Sequence, residues 1–400
     1  LANGTAARGR RIRLRALWLA IHKWIGLSLG LVIAIIGLTG SILVFYQEID
    51  EWLNPELYAV SPPYAGASFR STDEILSAAK AVAPDGGSLG FTVHPPHPGA
   101  AYMIYVTRPR PASAYEDIWQ IFVDPYTAKV TGTRDVRTGD QWVARAFIPF
   151  VFDLHLSLLM PYHWGKTVVG MIAICVVLSL LTAIALWWPP PGKWRRALSG
   201  RRGASSQRFI YDLHQVFGIY PWIILLAVFV SGIWLNLPGT FLSAVRIFSP
   251  ATIDASAFRS APTKDAEAIT IGAAIAIAGA SSVEGRVMWF SGAGDPEGTH
   301  WICKNGQISI SRIFDVRCFF IDQYDGQILF TEDVVTGTAG NAFIAWQWPL
   351  HSGQAFGMTG RILVLLSGLA CVGLFVTGVL RWVHKRRARH RSVRVLARLS

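Results

Sequence analysis

Four apolar stretches, near Trp24–Tyr46, Thr167–Trp188, Tyr220–Leu237 and Ile362–Val383, dominate this 400-residue chain. Crossing a hydrocarbon core of about 30 Å as helix takes roughly 20 residues with few charges, and each stretch meets that need. Lipid offers no hydrogen bonds, so a spanning segment must satisfy its own backbone, which helices do. The chain is therefore expected to be an α-helical membrane protein with four transmembrane helices. A hydrophobic content of 52%, with 16% charged residues, agrees. The first stretch is too long for a cleaved signal peptide, and no small-residue cleavage site follows it, so it reads as a span.

Basic residues set the orientation. Five arginines precede the first stretch (Arg8 to Arg15), six basic residues link the second to the third (Lys193 to Arg208), and eight close the chain (Arg381 to Arg398). The only acid in those three segments is Asp212. The positive-inside rule makes them cytoplasmic, in a bacterial inner membrane, with both termini inside. The formal net charge of +12 thus reports orientation and contact with the anionic lipid bilayer. It does not form a face that would bind nucleic acid. The expected organisation is a basic tail and first span (1–49), a periplasmic domain (50–145), a second span (146–189), a basic loop (190–213), a third span (214–239), a second periplasmic domain (240–345), and a fourth span with a basic tail (346–400).

The chain also repeats itself. His22, Gly26 and Thr39-Gly40 recur at the same spacing as His214, Gly218 and Ser231-Gly232. Gly165, Thr182 and Trp187 recur as Gly360, Thr377 and Trp382, and His155 has its counterpart in His351. Outside the spans, Phe122-Val123-Asp124-x-Tyr126 matches Phe320-Ile321-Asp322-x-Tyr324. Two tandem parallel repeats follow, related by a pseudo-twofold axis along the membrane normal. Each external segment reads as a small α+β domain. The first has a helix over 72–83 opened by a Thr/Asp cap and strands over 102–106 and 118–123; the second has strands over 286–290, 308–310 and 319–321. Cys175 and Cys371 read as packing residues within spans, whereas Cys303 and Cys318 fall where an oxidising compartment permits a disulfide.

Four of the ten histidines occupy matched positions: His22 with His214, and His155 with His351. A lone histidine near a helix end is ordinarily an interfacial or hydrogen-bonding group. Four at two symmetric depths are a different case, because polar groups in a bundle are expensive and tend to be functional. Related by the pseudo-twofold, each pair presents two imidazoles to a common centre. With no Asp, Glu or Cys nearby in sequence, such a pair suits a bis-histidine haem iron better than zinc. If residues 155–167 form continuous helix, the outer pair should lie at or above the interface, about 18 Å beyond Thr167. His163 and His384 have no counterpart and are weaker alternatives as ligands. Small residues such as Gly26, Gly37, Gly368 and Gly378 allow either close helix contact or room for a flat macrocycle. No CxxC, CxxCH or dinucleotide fingerprint is present, so bound zinc, covalent haem and an internal nucleotide site are not expected.

The segments HKWIGLSLGL, FDLHLSLL, YDLHQVFGIYP and PLHSGQAFGMTGRILV resemble the PepSY-associated transmembrane-helix family over nearly the whole chain. In that family two PepSY-like domains alternate with four helices, and its members include inner-membrane ferric-siderophore reductases of the ferrioxamine-reductase type. The resemblance implies two b-type haems held by His22, His155, His214 and His351, and a periplasmic substrate cavity beside the outer haem. The corresponding function is a ferric-chelate reductase that passes electrons to a ferric siderophore. The electron donor would be membrane quinol or a cytosolic flavin or NAD(P)H partner. Trp142, Phe147, Phe150, Trp346 and Trp348 are candidates to line a chelate site or to form an interfacial aromatic belt, and Arg145 is a candidate cation for an anionic substrate. Two other readings stay open: a non-enzymatic sensor or protease-binding module with structural histidines, and a b-type cytochrome serving another periplasmic acceptor.

Overall fold

A computed structural model describes the chain except residues 1, 112, 140, 142–143, 199–204, 252–257, 263–266, 282–284, 306–315, 333–336 and 400. Two helices are long and apolar enough to cross a membrane, Tyr162–Trp187 and the apolar part of Gly357–Leu399. Two further candidates are bent pairs: Arg13–Ser28 with Gly30–Leu43, bent by 65°, and Ser206–Ile219 with Trp222–Asn236, bent by 56°. Each bend has a local cause. At the first, the Ser28 hydroxyl donates to the Trp24 carbonyl at 2.7 Å, and Leu29, just before Gly30, is stretched to φ −103° and ψ −9° while staying in the helical region. At the second, Pro221 removes an amide donor and cannot continue the helix. Each bend hands the chain from one partner to another. Gly30–Leu43 packs on Gly357–Leu399, while the arm before it packs on Tyr162–Trp187. The contact with Gly357–Leu399 is close because Gly37 and Gly368 leave no room for a Cβ on either side.

The eight strands β1 (Ser88–Val93), β2 (Tyr102–Arg108), β3 (Asp117–Val123), β4 (Val130–Arg137), β5 (Arg286–Ser291), β6 (Thr299–Asn305), β7 (Val316–Asp322) and β8 (Ile328–Glu332) form one antiparallel sheet ordered β4-β3-β2-β1-β5-β6-β7-β8. The two segments between the candidate spans therefore join edge to edge through β1 and β5, with Thr92 opposite Phe290 and Val93 opposite Trp289. That pairing covers an edge each half would otherwise expose. Helices Thr72–Val82 and Ile271–Ser281 lie on one face, where Ile75, Ala79, Ala274 and Ala278 are fully buried against Ile104, Ile121, Ile302 and Ile321. The first of these helices is capped by Ser71, which forms a capping box with Glu74, and not by Thr72 or Asp73. Asp73 instead crosses to the other segment, accepting from the Gly272 amide at 3.1 Å and the Thr270 hydroxyl at 2.9 Å. It thus satisfies orphan donors at the start of the partner helix. The strands expected at 102–106, 118–123, 286–290 and 319–321 are present; the one expected at 308–310 lies outside the described residues. Cys303 and Cys318 stand opposite one another on β6 and β7 and are disulfide-bonded.

The β1–β5 seam carries a buried histidine. His94 lies beside Phe69 and Tyr102, its amide donating to the Met288 carbonyl across the seam. Burial, reinforced by the Arg286 charge and offset by the Pro95 carbonyl, pushes its imidazole down to about 4. Burial likewise lowers His300 on β6. An unfolded histidine titrates near 6.5, so between about 4 and 6.5 the unfolded chain binds more protons than the folded one. Stability is then complete above that window and falls as the pH drops through it. For His94 the loss should be on the order of 2 kcal/mol. Hydrogen exchange of the seam amides at pH 7 and pH 4.5 should show selective loosening at acid pH, and His94→Gln should flatten that dependence.

Candidate histidine-pair sites

The bends and turns bring the four matched histidines together in two pairs. The rings of His22 and His214 have centroids 6.3 Å apart at 78°, and those of His155 and His351 have centroids 6.1 Å apart at 65°. The helix that carries His155 does not run on into the following span. Helix Phe147–Ser157 ends where Leu158 and Leu159 turn to positive φ, and Tyr162–Trp187 then doubles back, with Gly165 pressed on Ser157. In the same way Gln347–Ser352 ends at Gly353, φ +77°, and Gly360 of the following helix packs on it. His155 is thereby set beside Ile36, Thr39 and Gly40 of an apolar helix, so the continuous helix expected over 155–167 is replaced by a turn.

Hydrogen bonding fixes the tautomers. His155 Nδ1 lies 3.0 Å from the Ile36 carbonyl, and His351 Nδ1 lies 3.0 Å from the Val228 carbonyl. A carbonyl only accepts, so each Nδ1 carries the proton and each Nε2 is left as a bare lone pair. Thr39 and Ser231 stand 3.1 and 3.0 Å from those same nitrogens, their own hydroxyl protons directed to helix carbonyls. His22 Nδ1 donates in the same manner toward the Ser179 carbonyl at 3.2 Å. His214 Nδ1 is 2.9 Å from Thr377 Oγ1, whose proton goes to the Gly373 carbonyl. In the sequence, Thr39-Gly40, Ser231-Gly232 and Thr377 stand out only as markers of repetition. Their role as orienting partners was missed, though a hydroxyl beside glycine recurring at the depth of a histidine is the signal that carried it. Ser179 has no such marker.

Two imidazoles bound through Nε2 to one first-row metal, at about 2.0–2.1 Å per bond, stand roughly 6 Å apart between ring centres. Both pairs fit. Among the described residues no cluster of three or more His, Cys, Asp or Glu forms. Each site therefore offers two neutral nitrogens, fewer than a closed zinc site takes and the number needed by an iron already held in a macrocycle. Hydrogen bonds from the distal Nδ1 fix ring orientation and raise ligand basicity, as metal-bound histidines commonly require. Beside His22 and His214 lies a cavity of about 650 Å³, within the range of sites for sizeable ligands. Gly26 borders it with nothing within 4 Å of a Cβ position, and Gly378 stands against His214.

Other expected site residues are placed elsewhere. His163 is exposed and packs edge-on to Trp164, and His384 is half-buried in the last helix outside the cavity lining. Phe147 is exposed, while Phe150, Trp346 and Trp348 are half-buried. Trp142 lies outside the described residues. Arg145 is an exposed partner of Asp135 and Gln141. A space of about 30 Å³, enough for a water or two, lies against the helix of His155 and is lined by Tyr46, Tyr58, Pro149 and Phe152, not by those aromatics. The family model described as the PepSY-associated TM region matches residues 19–385. No curated protein matches the chain.

Proposed function

The chain belongs to the PepSY-associated TM family, a family of membrane proteins, and on that premise we propose that it is a transmembrane di-haem b-type reductase that carries electrons across the inner membrane to a periplasmic ferric siderophore and releases iron as Fe(II). The observation that carries this reading is the pair of imidazole couples about 6 Å apart, each ring with its Nδ1 proton committed and its Nε2 free. Two haems, one per couple, would supply one-electron transfer between the two ends of the bundle. The protein's part is to hold and orient. Ser179 and Thr377 fix the rings at the basic end; Thr39, Ser231 and two helix carbonyls fix those at the other.

The basic flanks put His22 and His214 toward the cytoplasm, where quinol or a cytosolic flavin or NAD(P)H partner would deliver electrons. The sheet then lies in the periplasm above His155 and His351, and the two matched halves derive from duplication of one helix–domain–helix unit. The siderophore itself is inferred from family resemblance. Among the described residues no acid–base pair stands out near either site, as a reaction in which only electrons move would need none.

Protein purified from haem-replete cells should show a Soret band and, with dithionite, resolved α and β bands. Ferrioxamine added anaerobically to the reduced protein should reoxidise it, and the Fe(II) formed should be captured by ferrozine. A colourless preparation would sink the haem assignment. Coloured protein that ferric hydroxamates leave reduced would sink the siderophore and leave a cytochrome for another acceptor.

A further inference from the structure

The cavity beside His22 and His214 is symmetric in its imidazoles and asymmetric in its charge. Arg381 lines it, half-buried, one helical turn beyond Thr377 and Gly378, the two residues that contact His214. Positions i, i+3 and i+4 share a helix face, so the guanidinium and the imidazole border the same space. Arg381 rests on the Tyr211 ring at 4.5 Å, and among the described residues no carboxylate pairs with it. Asp212, the one acid of the basic segments, is held by Arg208 at 2.9 Å. Lys385 and Arg386 stand at the same mouth, Arg386 over the Trp382 ring at 5.4 Å. A cation partly withdrawn from water without a counter-anion is costly, and a bound anion offsets that cost. The other half provides no match. Leu186 stands 21 residues after Gly165, as Arg381 stands 21 after Gly360.

We propose that Arg381, with Lys385 and Arg386 at the rim, binds the carboxylates of the tetrapyrrole held by His22 and His214, and fixes a single orientation with the acidic edge toward the last helix. This rests on the haem reading above. The two imidazoles alone would accept the macrocycle in either of two orientations related by the pseudo-twofold; an arginine at one of the two matched positions and a leucine at the other removes that degeneracy. Guanidinium–carboxylate contacts are the strong, geometrically specific class of hydrogen bond, whereas Leu186 offers none.

The test compares wild type, Arg381→Leu and Arg381→Lys as full-length protein in detergent, following haem loss to excess apomyoglobin in the Soret region. The leucine variant should release one of its two haems at least roughly tenfold faster than wild type, with lysine intermediate. Reconstitution with haem dimethyl ester, which lacks free carboxylates, should abolish the difference between wild type and Arg381→Leu. Equal release rates, or a difference that persists with the ester, would overturn the carboxylate assignment while leaving the haems in place. Wild type without any tetrapyrrole, or carrying anionic phospholipid that Arg381→Leu loses in native mass spectrometry, would overturn the clamp together with the haem reading at this pair.

Discussion

His22→Ala and His214→Ala should each abolish the same one of two haems, and His155→Ala and His351→Ala should each abolish the other. If each pair holds one haem, losing either imidazole would leave its partner too few bonds to retain the group, so each variant should hold about half the wild-type haem, and the double variant within a pair no less than either single. Pyridine haemochromogen assays on the purified proteins would read this directly. His163→Ala and His384→Ala should keep the full complement, because neither ring lies in a pair. The pairing idea fails if the four variants lose haem independently, or if a His163 or His384 variant loses it instead. Thr39→Val and Ser231→Val give a finer reading. Each removes a hydroxyl 3.1 or 3.0 Å from a ring nitrogen yet leaves the helix carbonyl in place. Haem should stay, with a shifted midpoint potential for the outer centre only.

Asp50→Ala should destabilise the sheet by about 3–5 kcal/mol, because it strands a buried guanidinium. Asp50 and Arg134 are joined by two hydrogen bonds of 2.8 Å, their side chains only 6% and 9% exposed. Tyr58 donates to Asp50 at 2.7 Å, and Asn54 does so at 2.8 Å. Arg134 Nε reaches Gln120 at 2.8 Å. Burial, with the Asp50 charge beside it, pushes the Tyr58 phenol far above its usual range, so it remains a donor. Denaturant unfolding followed by exchange of the β3 and β4 amides would measure the loss. Asp50→Leu combined with Arg134→Met should recover most of it, since an apolar pair removes both charges. Loss of stability equal in the single and double variants would contradict this account.

The consequence should extend to the outer histidines. Strand β4 carries both Arg134, which holds the segment following helix Gly30–Leu43, and Arg137, which pairs with Asp153 two residues before His155. Arg361 ties the start of the last helix to the same place, donating to the Val44 carbonyl at 2.8 Å and pairing with Glu48 at 2.6 Å. The sheet thus grips the helices that frame one histidine pair and leaves the other pair untouched. Spectral change in Asp50→Ala should therefore appear at the outer centre alone.

Hydrophobic length and charge asymmetry determined, without any coordinates, that this chain has up to four spans with basic flanks, because the cost of taking a backbone or a charge into lipid is paid residue by residue. Spacing alone also picked His22, His155, His214 and His351 out of ten histidines, because matched offsets put side chains at matched depths. Tertiary structure decided the rest. Whether residues 155–167 ran on as one helix depended on Ser157 finding Gly165, and the placement of His155 beside Ile36 followed from that contact. Two external segments became one sheet because β1 and β5 had complementary edges, which neither sequence half displays on its own. Asp73, apparently a cap for its own helix, serves one nearly 200 positions away. Nitrogen tautomers, and with them what each ring can bind, were set by carbonyls and hydroxyls on other helices. Local pattern fixes what a segment must bury; partners distant in the chain fix what it can hold.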